Sequence, residues 1–121
     1  MKKIPNNNKK CLKGKKAINK LLKDKSGCIH EAFYREDIGY IDLIWGDNKM
    51  GLQHIIKRRI ESGQDLKKLF NNLSEVVETG IMYENESGRL VITDGDIVVV
   101  VAPNLYNKKT AFILTAYEKY K

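Results

Sequence analysis

At Gly80 the hydrophobic period of this chain changes, and that change limits the folds open to it. Before it, Leu66, Leu69, Phe70, Leu73, Val76 and Val77 recur at helical spacing and mark one face of an α-helix. Asp65 stands where an N-cap belongs and Gly80 where a C′ glycine belongs. After it the period is two, and strands are expected at Ile81–Glu84, Arg89–Thr93, Asp96–Ala102 and Thr110–Tyr117. Ser87-Gly88 and Asp94-Gly95 supply tight turns between the first three, and a longer polar loop precedes the last. Short links between consecutive strands imply an antiparallel meander.

Upstream, Ala17, Ile18, Leu21 and Leu22 mark a short amphipathic helix that stops at Ser26-Gly27. Cys28–Tyr34 and Tyr40–Trp45 read as strands around the turn Arg35-Glu36-Asp37, a small hairpin. A further helix enters near Gly51 and ends about Ser62, with Leu52, Ile55, Ile56 and Ile60 as its apolar stripe. Helices followed by a run of strands give an α+β fold, with N-terminal helices packed on a four-stranded antiparallel sheet and the hairpin beside it. At 121 residues the chain is expected to form one domain, over 15–121, behind a flexible basic arm at 1–14.

The net charge of +7 is unevenly placed. Residues 1–25 hold ten lysines and one aspartate, +9, while the other 96 hold 12 basic and 14 acidic groups, −2. Such an arm steers a protein towards RNA or another polyanion without specifying chemistry there; a solubilising tail explains the same residues. Cys11 and Cys28 lack CxxC spacing and a Cys/His cluster, so free thiols in a reducing cytoplasm are expected, and no metal site. The N-terminus lacks the apolar core of a signal peptide, and no apolar run reaches the ~18 residues of a membrane helix. P-loop, HExxH and serine-hydrolase patterns are all missing, and no cofactor is expected.

What remains is a set of polar residues on two elements. His54 and Arg58 lie four apart on a helix face opposite the stripe. An imidazole can move a proton near neutral pH, and a guanidinium fork can bind a phosphoryl oxygen. Lys57 and Arg59 leave the helix at other angles and suit phosphate contacts or solvent, Arg59 with its stem in the apolar stripe. On the last strand Phe112, Leu114 and Ala116 are expected to face the core, and Ile113, Thr115 and Tyr117 the open side. From these residues alone a solvated helix face and ordinary strand residues are the simpler explanation of these positions. His30 reads as structural or exposed, Asp42 as able to orient a base, and Asp47 as a cap for the helix behind it.

Gly39-Tyr-Ile-Asp-Leu-Ile-Trp-Gly-Asp47, Gly51-Leu-Gln-His-Ile-Ile56 and Leu114-Thr-Ala-Tyr-Glu-Lys119 together resemble the barnase–EndoU–colicin–RelE (BECR) superfamily. The closest branch is its phage and mobile-element group of barnase/colicin-type endoribonucleases, and the resemblance runs from about Ala17 onward. It implies metal-independent RNA cleavage by attack of the ribose 2′-hydroxyl, leaving a 2′,3′-cyclic phosphate. It also implies that His54 is the acid or base, that Arg58 stabilises the phosphate, and that Thr115 and Tyr117 position it. Lys57, Arg59, Trp45 and Asp47 become candidate substrate contacts. RNA, with transfer RNA among the candidates, is the expected partner; DNA and membranes are not. A toxin role would add an inhibitor (immunity) protein that covers the cleft. The alternative is a non-catalytic RNA- or protein-binding module on the same scaffold.

Overall fold

The computed structural model describes residues 12–103 and 110–119. The expected elements form in the order α1 (Gly14–Asp24), β1 (Cys28–Arg35), β2 (Gly39–Ile44), α2 (Gly51–Glu61), α3 (Leu66–Thr79), β3 (Ile81–Glu84), β4 (Leu90–Thr93), β5 (Ile97–Ala102) and β6 (Ala111–Glu118). Positions 1–11 of the expected basic arm, with Cys11, lie outside the described residues, as does most of the polar loop before β6. Leu12 packs against the core, and Gly14 opens α1. No helix among the described residues is long and apolar enough to cross a membrane.

The sheet corrects the expected architecture. The strands β3 to β6 do form an antiparallel meander, but β1 and β2 do not stand apart as a hairpin. They extend the same sheet to six strands in the order β1-β2-β6-β5-β4-β3, with β2 parallel to β6 at Ile41↔Ala111 and Asp42↔Phe112. The reason lies in Ile41-Asp42-Leu43-Ile44, which is buried at every position. A strand covered on both faces belongs inside a sheet. Asp42 interrupts the apolar run and disguises it in the sequence.

The parallel ladder has only two residue pairs. Beyond Phe112 the edge of β6 is met instead by α2, which packs against both β6 and β2. The Gln64 amide finishes the edge: its Nε2 donates to the Glu118 carbonyl at 3.1 Å, and its Oε1 accepts from the Glu118 N–H at 3.0 Å. Those backbone groups would otherwise lose their partners where β2 departs.

All three helices bury their apolar faces against one side of the sheet. Ile18 and Leu21, Leu52 and Ile55, and Leu69 and Leu73 meet Ile41, Val99, Val101 and Ile113 in a single core. Each such side chain contributes about 1.5–3 kcal/mol by leaving water. A smaller cluster of Ile44, Ala102 and Phe112, with Met50 and Leu114, lies apart from it.

Two local expectations change. Opposite Val100 and Val101 on β5 stand Thr115 and Ile113, so Leu114 is a bulge residue without a partner. The extra residue swaps faces: Ile113 and Ala116 enter the main core, whereas Phe112 and Leu114 join the smaller cluster. Thr115 and Tyr117, paired with Val100 and Val98, remain on the face opposite Ile113 and Ala116. Asp65 caps α3 as expected, accepting from Lys68 N at 3.1 Å. Gly80 is not the left-handed C′ residue, since its φ is −69°. It is required for space, because a Cβ there would lie 2.7 Å from the Val76 carbonyl oxygen and 2.9 Å from that of Thr93.

Arg35 ties the hairpin turn to the end of α3. Its Nη1 donates to the Val77 and Gly80 carbonyls at 2.8 and 2.7 Å, while Nε and Nη2 grip the Asp37 carboxylate at 2.9 Å each. A cation at a helix C-terminus also complements the dipole. The hydrogen bonds from Arg35 hold the Asp37 carboxyl below the ordinary carboxylate range. Arg35→Ala should therefore destabilise the fold by about 2–3 kcal/mol in urea denaturation at neutral pH. Asp37's share is fully present above the unfolded carboxylate value of about 4 and is lost as pH falls below it. The gap between wild type and variant should accordingly narrow, without closing, when the titration is repeated near pH 3.

Candidate functional site

The turn into α2 sets the position of everything on that helix. Gly46 and Gly51 both have positive φ, and a Cβ on Gly46 would lie 1.9 Å from the Met50 carbonyl oxygen. Asp47 N donates to that carbonyl at 2.9 Å, and Asp47 Oδ1 accepts from Lys49 N and Met50 N at 2.8 and 3.2 Å. The carboxylate is thus folded onto its own turn. Trp45 is used in the same way: its N–H donates to Gly27, its carbonyl accepts from Gln53, and the side chain packs against the core. The two residues build the entrance to the helix.

His54 reaches back to this turn, with Nδ1 2.9 Å from the Asn48 carbonyl oxygen. A carbonyl can only accept, so in the neutral ring Nδ1 carries the hydrogen and Nε2 keeps its lone pair. Met50, in the same turn, packs with Phe112 and Leu114, the residues that precede Thr115 on β6. His54 is therefore anchored to a turn that rests on the outer face of β6.

The expected stripe of α2 is rotated. Leu52 and Ile55 are fully buried, but Ile60 is 63% exposed. The buried line continues one turn beyond Ile55 to Arg59, not to Ile60. Arg59 consequently arrives at β6, with its guanidinium carbon 5.5 Å from the centroid of the Tyr117 ring. Burial, and then the charge of neighbouring Arg58, pull its pKa below the ordinary value, though a guanidinium stays cationic at neutral pH. Arg58 points into solvent, 3.9 Å from Glu61, and Lys57 is exposed.

Two donors at this junction lack acceptors among the described residues. Arg59 Nε and Thr115 Oγ1 are both shut off from water and make no hydrogen bond. Thr115 and Tyr117 stand two apart on the same face, about 7 Å along the strand. So the structure sets Arg59 over Tyr117, two residues from Thr115 on the same strand face, leaves Arg58 and Lys57 in solvent, and spends Trp45 and Asp47 on the turn.

Sequence reasoning passed over a second constellation. Asp42, only 3% exposed, holds His30 Nδ1 at 2.8 Å through Oδ2 and accepts the Glu31 N–H at 2.8 Å through Oδ1. The pairing exists because β1 carries two extra residues between Ile29↔Leu43 and Phe33↔Ile41. A regular hairpin continued from Phe33↔Ile41 would set Ala32 opposite Asp42. The lone carboxylate in an apolar run was the available signal.

A buried hydroxyl without an acceptor costs about 1–3 kcal/mol. Thr115→Val, which keeps the shape and removes that hydroxyl, should leave stability unchanged or raise it by about 1 kcal/mol in urea denaturation. A clear loss of stability would mean that the hydroxyl has a structural partner.

Residues 32–121, about three quarters of the chain, match the family described as phage-Barnase-EndoU-ColicinE5/D-RelE like nuclease1. No curated protein and no solved structure matches the chain. The matched segment contains α2 and β6, the elements that carry Arg59, Thr115 and Tyr117. The chain belongs to this family of BECR-type nucleases.

Proposed function

We propose that the protein is an endoribonuclease that cleaves RNA through the ribose 2′-hydroxyl, at the junction of α2 and β6. The observation that carries this reading is the pair of buried donors without acceptors, Arg59 Nε and Thr115 Oγ1, beside the Tyr117 ring. A phosphodiester admitted by a small side-chain movement would supply acceptors for both. A guanidinium partly withdrawn from water favours the added negative charge of a pentacoordinate phosphorane. It does so as a fixed cation, without requiring a metal ion.

The 2′-oxygen forms its bond to phosphorus as its proton leaves for a base, and the bond from phosphorus to the 5′-oxygen breaks as that oxygen gains a proton. The products are a 2′,3′-cyclic phosphate and a 5′-hydroxyl. His54 Nε2, kept free by the Asn48 contact at Nδ1, carries one of these protons. Arg59 takes the phosphate role that the resemblance gave to Arg58, because it is the cation delivered to β6.

The test is incubation with total RNA, transfer RNA and DNA in EDTA, with the product ends mapped. RNA fragments ending in cyclic phosphate are expected, with DNA uncut because it lacks the nucleophile. His54→Ala should lower kcat by about 10²–10⁴-fold. Arg59→Met should lower it by a comparable factor while the protein stays folded. Products with 5′-phosphate ends, or cleaved DNA, would rule out 2′-hydroxyl attack.

A further inference from the structure

The reaction needs two proton transfers, and the α2–β6 junction places one imidazole for them. We propose that His30, held by the buried carboxylate of Asp42, is the second proton-transfer residue of the ribonuclease. This rests on the cleavage reading above and assigns a residue that lies two positions before the family-matched segment.

Three features mark the pair as built. First, Asp42 is buried although charged, and both of its oxygens are engaged, one by the His30 ring and one by the Glu31 N–H. Second, Glu31 has a φ of +58°, a left-handed conformation disfavoured for a residue with a side chain. That conformation, inside the β1 bulge, is what turns the Glu31 N–H onto Asp42. Strain of this kind persists where surrounding structure over-determines it. Third, the His30 side chain is 71% exposed and lines a cavity of about 780 Å³ with Tyr40, Asp42, Pro103 and Thr110.

The tautomer follows from the acceptor. A carboxylate at Nδ1 leaves the hydrogen there and the lone pair on Nε2, and it holds the ring in that orientation while Nε2 takes a proton. This suits the base role: Nε2 receives the 2′-hydroxyl proton. His54, as imidazolium, then donates to the departing 5′-oxygen, and exchange with solvent resets both rings. Asp42 acts through His30 and is a positioning residue.

The other ionisable groups near the ring fit this assignment. Cys28 Sγ lies 3.7 Å from Nε2, and burial and the charge of Asp42 push its thiol pKa up. The thiol therefore stays protonated, a weak donor that a substrate hydroxyl can displace. The Asp37 carboxylate is turned away to Arg35, leaving Glu31 and the Tyr40 phenol at the rim.

Placement puts the pair on the face of the sheet that carries Thr115 and Tyr117. Asp42 is level with Phe112, and Thr115 follows two paired positions later, about 7 Å along β6. Because Leu114 is bulged out, Phe112, Thr115 and Tyr117 stay on one face of the sheet, the face that carries Asp42.

The experiment compares wild type, His30→Gln and Asp42→Asn on an RNA oligonucleotide in EDTA, reading kcat and KM from pH 5 to 9. Binding of the 2′-deoxy oligonucleotide is measured in parallel. His30 is exposed, so His30→Gln should fold, as circular dichroism would verify. The variant should lose about 10²–10⁴-fold in kcat with KM and deoxy-oligonucleotide binding within about threefold. The rise of kcat/KM on the acid side of the profile should disappear. Asp42→Asn should lose kcat with binding retained and its acid-side rise displaced. If wild type cleaves and His30→Gln cleaves equally well with an unchanged profile, the assignment is overturned and the ribonuclease stands. If wild type cleaves no RNA, both fall together.

Discussion

A strand inside a sheet must find partners for its backbone along both edges, and on one side β6 finds them from β2 and then from the Gln64 side chain. β2 serves it for two residues, α2 packs against it where β2 leaves, and the Gln64 side chain closes the last position. An ordinary sheet would have continued the parallel ladder, and α2 would have sat on top of it. Where the ladder stops α2 packs against β6, and the line that continues from its buried face ends in Arg59 against Tyr117. The polar junction follows from where β2 departs.

That dependence explains which parts of the molecule were legible in the sequence. The change of period at Gly80 correctly separated α3 from the meander, because burial on one face forces a 3.6 or a 2.0 repeat on the residues. Helix positions and turns followed from the same rule. The assembly of the six-stranded sheet did not, since Asp42 broke the only run that would have marked β2 as an interior strand. Gly80 was read as a conformational glycine, and close approach of Val76 and Thr93 is why it is there. One-residue local signals cannot separate those two reasons.

The site was half legible for a related cause. Thr115 and Tyr117 were placed on the outer face, yet their neighbours Phe112, Ile113 and Leu114 were assigned to the wrong sides, because a bulge leaves no mark in an apolar run. On α2 the helical wheel put Arg58 beside His54 and Arg59 at the stripe, and both are true of the isolated helix. What the wheel lacks is the direction from which β6 approaches, and that direction selects Arg59. The +9 carried by residues 1–25 is a separate matter: a diffuse charge raises the local concentration of a polyanion, whereas one desolvated guanidinium distinguishes a phosphate from a phosphorane.

The β1 bulge carries a consequence for how this sequence can change. It inserts two residues, an even number, and side chains in a strand alternate with period two. Deleting two residues there would restore a regular ladder in which Ile29 and Phe33 could both keep facing the helices. The sheet would close as before, and Asp42 would lose its imidazole and meet an alanine-like wall. The ladder and the His30–Asp42 pair are therefore separable in this strand. A descendant could keep the architecture intact while shedding the His30–Asp42 pair in one step, and another could acquire such a pair without disturbing its core.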